Sequence, residues 1–121
     1  MEKSHKRLEV WQKSLQLTKV VYEVTKKLPA DEKNGLVSQM RRAAVSIPSN
    51  IAEGAARQTN KDGIKFFVIA RGSLSELDTQ LELAKILFLV SEEDYQGLQK
   101  QIDIVDSLLS GLVRYRRSKL I

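Results

Sequence analysis

Arg42, Ser46, Ser49, Asn50, Glu53 and Arg57 recur at steps of three or four within a segment of helical periodicity. At that spacing they share one helix face. A face turned only to water would carry mostly Lys and Glu, whereas this one combines small hydroxyls, an amide and opposite charges. Such groups form hydrogen-bond networks of fixed geometry. The composition favours a satisfied polar network, beside Pro48 or across a subunit contact, over direct contact with a ligand or nucleic acid. Catalysis is the weakest reading, because Glu53 has no companion carboxylate on the face and no nucleophile–base–orienter set is visible. Further on, Arg71, Ser75, Glu76 and Asp78 interrupt an apolar segment. Arg71 and Asp78 lie two helical turns apart, so a partner for Arg71 on another helix or subunit is expected.

A second constellation is cationic. Arg57, Lys61, Lys65, Arg114, Arg116 and Arg117 are the side chains best suited to phosphate contacts, and Tyr115 lies among them as a possible stacking surface. No base-reading pattern accompanies them, so nucleic-acid binding is expected to be electrostatic and tolerant of sequence. Net charge is +5 and the pI about 9.6, which suits a polyanionic partner. Other chemistries are poorly served. With no cysteine and one histidine, neither a thiolate zinc site nor a His-based metal centre is expected, and no cofactor is implied. No apolar run approaches the roughly 20 residues that span a bilayer, so no membrane partner is expected. The opening Met-Glu-Lys-Ser-His-Lys-Arg has no apolar core of a signal peptide, and the expected location is the cytoplasm.

Four helices must position these groups. Apolar residues recur with helical spacing almost throughout, and no useful stretch alternates with period two. Helix 1 is expected from about Leu8 to Lys27, ended by Leu28-Pro29-Ala30. Asp31 is the expected N-cap of helix 2, which runs to near Arg57. Thr59, with Asp62 reaching back, caps helix 3 up to Phe88, and Ser91 caps helix 4 up to Lys119. Residues 1–7 are expected as a flexible tail and 118–121 as a frayed end. The chain reads as one domain over 1–121: all-α, an antiparallel up-down-up-down four-helix bundle. Pro48 lies inside helix 2, where it cannot donate to the Ala44 carbonyl, so a kink or break is expected there.

This topology gathers the charge. Residues 1–9, 53–65 and 113–121 hold ten Lys/Arg against four acids, a net of +6, and share one pole. The opposite pole, residues 23–36 and 85–100, holds five bases against six acids. Cations at the end of helix 4 also complement its dipole, so dipole pairing and phosphate binding both remain open for that cluster. Helices 1 and 4 each carry two adjoining apolar stripes: Trp11, Leu15, Thr18, Tyr22 beside Val10, Leu17, Val21, Val24, Leu28, and Ile104, Leu108, Tyr115 beside the core-facing row of helix 4. The surplus is either a generous core or an intersubunit surface. Gly54, Gly72 and Gly111 sit well inside helices, where close helix approach is the expected reason.

Ser46-Ile47-Pro48-Ser49-Asn50-Ile51-Ala52-Glu53-Gly54, followed by Arg57, resembles the signature of the bacterial four-helix-bundle proteins encoded in intervening sequences of large-subunit ribosomal RNA genes. Upstream the likeness includes Trp11, Tyr22, Leu28-Pro29, Glu32, Gly35-Leu36 and Gln39 through Ala44. Downstream it includes Ile69 through Leu77 and Thr79-Gln80-Leu81. Ala55-Ala56 departs from the glycine or bulkier residue that members often carry there. The resemblance covers nearly the whole chain and implies a ring-shaped homopentamer of antiparallel bundles. It also implies kinship in fold with the accessory protein of diversity-generating retroelements, which works with a reverse transcriptase and binds nucleic acid through a basic surface. No catalytic residues come with it. The function expected is therefore a non-enzymatic oligomeric protein that binds RNA or DNA backbones through its basic pole. The alternative is a protein-interaction scaffold ring without nucleic acid.

Overall fold

The computed structural model describes residues 3–120. Its four long helices are α1 (Glu9–Thr25), α2 (Ser38–Ala55), α3 (Asn60–Ile86) and α4 (Glu92–Ser118). Each packs on its two neighbours in the cyclic order α1–α2–α3–α4, with the α2–α3 contact the most extensive. This is the antiparallel bundle that the periodicity requires. Its core draws on one row per helix, including Leu17 and Val21 of α1, Ile47 and Ile51 of α2, Phe67 and Leu77 of α3, and Leu98 and Leu109 of α4, all fully buried. No helix among the described residues is long and apolar enough to cross a membrane.

Of the paired stripes on α1, Val10, Leu17, Val21 and Val24 form the core row. In the adjoining stripe Trp11 is half-buried against the core and Thr18 faces α2, while Leu15 and Tyr22 are exposed. On α4 the surplus stripe is likewise divided, Leu108 being half-buried against the core and Ile104 and Tyr115 exposed. The extra apolar width is therefore partly an extension of the core and partly surface on a single chain.

Helix α2 is not broken at Pro48, which lies buried within a continuous helix. The carbonyl that the proline leaves without a donor is Ala44 O, and Thr18 Oγ1 of α1 lies 3.1 Å from it. The same hydroxyl is 2.8 Å from Ser14 O, so its one proton serves both carbonyls. The next two carbonyls of α2 also receive side-chain donors: Ser49 Oγ donates to Val45 O at 2.8 Å, and Asn50 Nδ2 to Ser46 O at 2.8 Å. Replacing Thr18 with the isosteric valine removes the donor and leaves the α1–α2 packing. We expect this to cost about 1–2 kcal/mol, read as a fall in melting temperature of about 4–8 °C. A Thr18→Val melting curve superimposed on that of the parent would refute the assignment.

The backbone departs from helical values at Gly35 (φ −110°, ψ −113°), within a π-helical turn, Lys33–Val37. The cap also differs from expectation. Ala30–Glu32 forms a 3-10 turn, and it is the Glu32 carboxylate, not Asp31, that accepts from Leu36 N–H at 3.3 Å. The other two caps form through their hydroxyls: Thr59 Oγ1 accepts from Asp62 N–H and Ser91 Oγ from Asp94 N–H, each at 3.1 Å. Asp62 pairs with Lys65 at 3.8 Å rather than returning to the cap.

At the chain start, residues 4–7 of the expected tail form a 3-10 turn, Ser4–Arg7, with the His5 ring edge-on to Trp11 at 5.0 Å. Helix α4 ends at Ser118, within the segment expected to fray. Met1, Glu2 and Ile121, included in the two expected loose ends, lie outside the described residues.

Helix α3 ends in a Schellman cap, with Leu89 N–H donating to Ala84 O at 2.9 Å and Phe88 N–H to Lys85 O at 3.0 Å. Phe88 occupies the left-handed position of that cap (φ 59°), where glycine is the usual residue. Nearby, the Tyr95 hydroxyl donates a short hydrogen bond to Glu82. That bond, with burial and the surrounding carboxylates, pushes the phenol up to about 12.

Candidate nucleic-acid interface

The three basic stretches meet at one end of the bundle, as antiparallel helices with short joints require. Arg116, in the last turn of α4, reaches across to the first residue of α3, where its Nη1 is 3.4 Å from Asn60 Oδ1. The same guanidinium lies over the Phe67 ring, 5.2 Å from its centroid. The Ser4–Arg7 turn packs against α1 and α2 at this end.

Behind the basic surface, α2 and α3 approach closely at two glycines. A Cβ on Gly54 would stand 2.6 Å from Phe67 Cε1 and 2.8 Å from Gly63 O, and one on Gly63 would stand 2.9 Å from Gly54 O. Backbone therefore faces backbone, and the α2–α3 joint can be short. The expected close approach holds at Gly54. It does not hold at Gly72, where nothing lies within 4 Å, nor at Gly111, where the nearest atom is Arg114 Nη2 at 3.9 Å.

The six cations singled out from the sequence differ in what already holds them. Arg57 pairs with Glu53 at 3.2 Å and lies over the Phe66 ring at 4.4 Å, while Lys65 pairs with Asp62. Both pairs are exposed and locally weak, so a phosphate can compete for them. Arg116 is half-buried against Phe67, which gives it a packing role that a phosphate contact would have to share. Lys61, Arg114 and Arg117 are exposed and make no ion pair among the described residues. Tyr115 is exposed, with Lys119 Nζ 5.1 Å from its ring centroid.

The polar face of α2 resolves into separate parts. Ser46 Oγ and Ser73 Oγ lie 2.8 Å apart, and Asn50 Nδ2 donates to Ser46 Oγ at 3.0 Å, so these three side chains join α2 to α3. Glu53 is engaged with Arg57. Arg42 and Glu76 line a polar groove between α2 and α3 of about 540 Å³, together with Gln39, Ser46, Ser73 and Gln80. Arg71 makes no ion pair among the described residues and does not reach Asp78, whose Oδ1 is buried without a hydrogen-bond partner. Among the described residues no group of His, Asp or Glu is placed to hold a metal ion.

Two contributions escaped the sequence reading. Thr18 stands in an apolar row with nothing local to mark its bond to α2. Gly63 follows a helix cap and reads as an ordinary start-of-helix glycine until Gly54 is found opposite it.

Comparison with known proteins gives this architecture its relatives. No protein with a curated description matches the sequence. The chain is similar to a crystal structure of a protein of unknown function from the S23 ribosomal protein family of Bacteroides thetaiotaomicron. The TM-score is 0.79 at 25% identity, covering 86% of this chain and 97% of the other. The sequence profile of the 23S rRNA-intervening sequence protein family matches residues 6–111, from the first turn to the last third of α4. With that match spanning all four helices, the chain belongs to the 23S rRNA-intervening sequence protein family.

Proposed function

We propose that this chain is a non-enzymatic, oligomeric accessory protein of the cytoplasm that binds RNA or DNA through the phosphate backbone at its basic pole. The observation that carries this reading is the trio Lys61, Arg114 and Arg117: exposed cations from two helices, without carboxylate partners among the described residues, at the end that holds the chain's charge excess. Arg57 and Lys65 stand beside them with only weak local pairs to give up. A homopentameric ring, which the family resemblance implies, would repeat the patch around an axis and strengthen its field.

The test is a salt titration of binding to a labelled single-stranded RNA of mixed sequence, with the Lys61→Glu/Arg114→Glu/Arg117→Glu variant as comparison. Losing three phosphate contacts per chain should lower affinity more than tenfold at physiological salt and flatten the log–log salt slope by about 2. Equal affinity and slope for the two proteins would exclude the basic pole as the binding surface. A ring that instead serves as a protein-interaction scaffold is the second reading. It is favoured by the exposed Leu83, Ile86, Leu87 and Phe88, and it is expected to retain no RNA at physiological salt.

A further inference from the structure

Phe88 combines two unfavourable properties in one residue. Its backbone holds a left-handed conformation that a bulky side chain resists, and its ring is 93% exposed. Ile86 and Leu87 beside it are exposed at 65% and 55%, so the α3–α4 joint ends in an apolar knob. A glycine would satisfy the same Schellman cap without strain or exposed ring. The cap geometry therefore gives no reason for phenylalanine.

The same chain carries a receptor of matching character. Between α1 and α2 lies a groove of about 630 Å³, lined in part by Tyr22, Val37 and Val45 and rimmed by Lys33, Arg41 and Arg42. The Arg41 guanidinium lies over the Tyr22 ring, 4.4 Å from its centroid, and donates to Thr25 Oγ1 at 2.9 Å, which stiffens one wall. Knob and groove are at the same height in the bundle, because Val37 and the knob's neighbour Leu89 pack into one small cluster with Leu28 and Ala84. They sit on opposite edges, one at the α3–α4 joint and the other between α1 and α2. The knob is followed by the exposed carboxylates of Glu92 and Glu93, whereas the groove rim is basic, so the two surfaces are complementary in charge as well as in polarity.

We propose that Phe88 of one copy seats in the α1–α2 groove of the next. Different surfaces on the two partners make the contact heterologous, and equal height on opposite edges lets successive contacts turn about an axis parallel to the bundle and close a ring. The proposal deepens the oligomeric part of the function proposed above and says nothing of the nucleic acid.

Mass in solution by light scattering, with circular dichroism alongside, tests it on three proteins. Phe88→Gly removes the knob and suits the cap, and Val45→Glu spoils the groove. Each should keep its helical signal and raise the subunit dissociation constant about 30-fold or more, giving monomers of 13.7 kDa at concentrations where the parent is assembled. Mixing the two variants should restore a single interface, from the intact knob of one and the intact groove of the other, and give a heterodimer that cannot close. A parent oligomer left unchanged by both substitutions, or variants that fail to pair on mixing, would overturn this contact while leaving oligomerisation standing. A parent that is itself monomeric at high concentration would remove both.

Discussion

Phe67→Ala should destabilise the bundle by about 3–5 kcal/mol, lowering its melting temperature by about 12–20 °C. The ring is fully buried and is the largest side chain in the core. It touches three things at once: the central rows of the core, the glycine of α2 that faces it, and the Arg116 guanidinium above it. Truncation leaves a cavity at the tightest part of the α2–α3 contact, where the backbones already meet and cannot move in to fill it. It also strips Arg116 of its stacking surface. Denaturant unfolding monitored by circular dichroism measures the loss directly. A change below about 1 kcal/mol would mean that the site collapses freely and that the close approach does not exist.

Gly54→Ala should act in the opposite sense on the same contact, by overfilling it, at a net cost of about 2 kcal/mol or about 8 °C. Alanine gains about 1 kcal/mol of helix propensity in an exposed helix interior, so a substitution judged by propensity alone would be stabilising. Packing reverses the sign. The new methyl would stand 2.6 Å from an aromatic carbon and 2.8 Å from a backbone oxygen, and the oxygen cannot rotate away. Gly72→Ala, with nothing within 4 Å, serves as the comparison and should be neutral or slightly stabilising. If the two alanines behave alike, α2 and α3 do not approach closely at Gly54. In a Phe67→Ala background the penalty at Gly54 should shrink without vanishing, since the Gly63 carbonyl remains.

The helices could be read from the chain because their information is local. Leu17, Val21 and Val24 repeat at helical spacing, and the hydroxyls of Thr59 and Ser91 stand three residues from the N–H groups that they cap. The fold class followed from these patterns and from short joints. What could not be read depends on partners far apart in sequence. Thr18 looked like one more member of an apolar row, because the carbonyl that it serves lies 26 residues away. The second helix continues through Pro48, where a break was one of the two expected outcomes, and non-helical backbone occurs at Gly35 in the turn before α2, which has no proline to announce it.

The candidate site divides along the same line. A cluster of arginines can be counted in a sequence, but the direction in which each side chain leaves the helix cannot. Arg116 and Arg117 are adjacent, yet one is folded onto an aromatic ring and the other is left to solvent. Pairing by carboxylates four or three residues away, as for Arg57 and Lys65, was in principle visible from the spacing of Glu53 and Asp62. For the α2 polar face, spacing identified the shared side of the helix but not how it divides. Ser46, held by Asn50, meets Ser73 across the helix boundary, while Arg42 and Glu76 line the groove beside them.

Placing a proline in mid-helix and supplying its missing donor from another helix has a consequence for how this molecule assembles. The centre of α2 cannot complete its own hydrogen bonding as an isolated segment, because the hydroxyl that does so arrives only with α1. Coil-to-helix ordering there and the docking of the first helix thus become a single event, with Thr18 acting as a splint across the join. A bundle wired in this way resists partial undocking of α1, since peeling it back gives up that bond to water together with the apolar rows that the two helices bury.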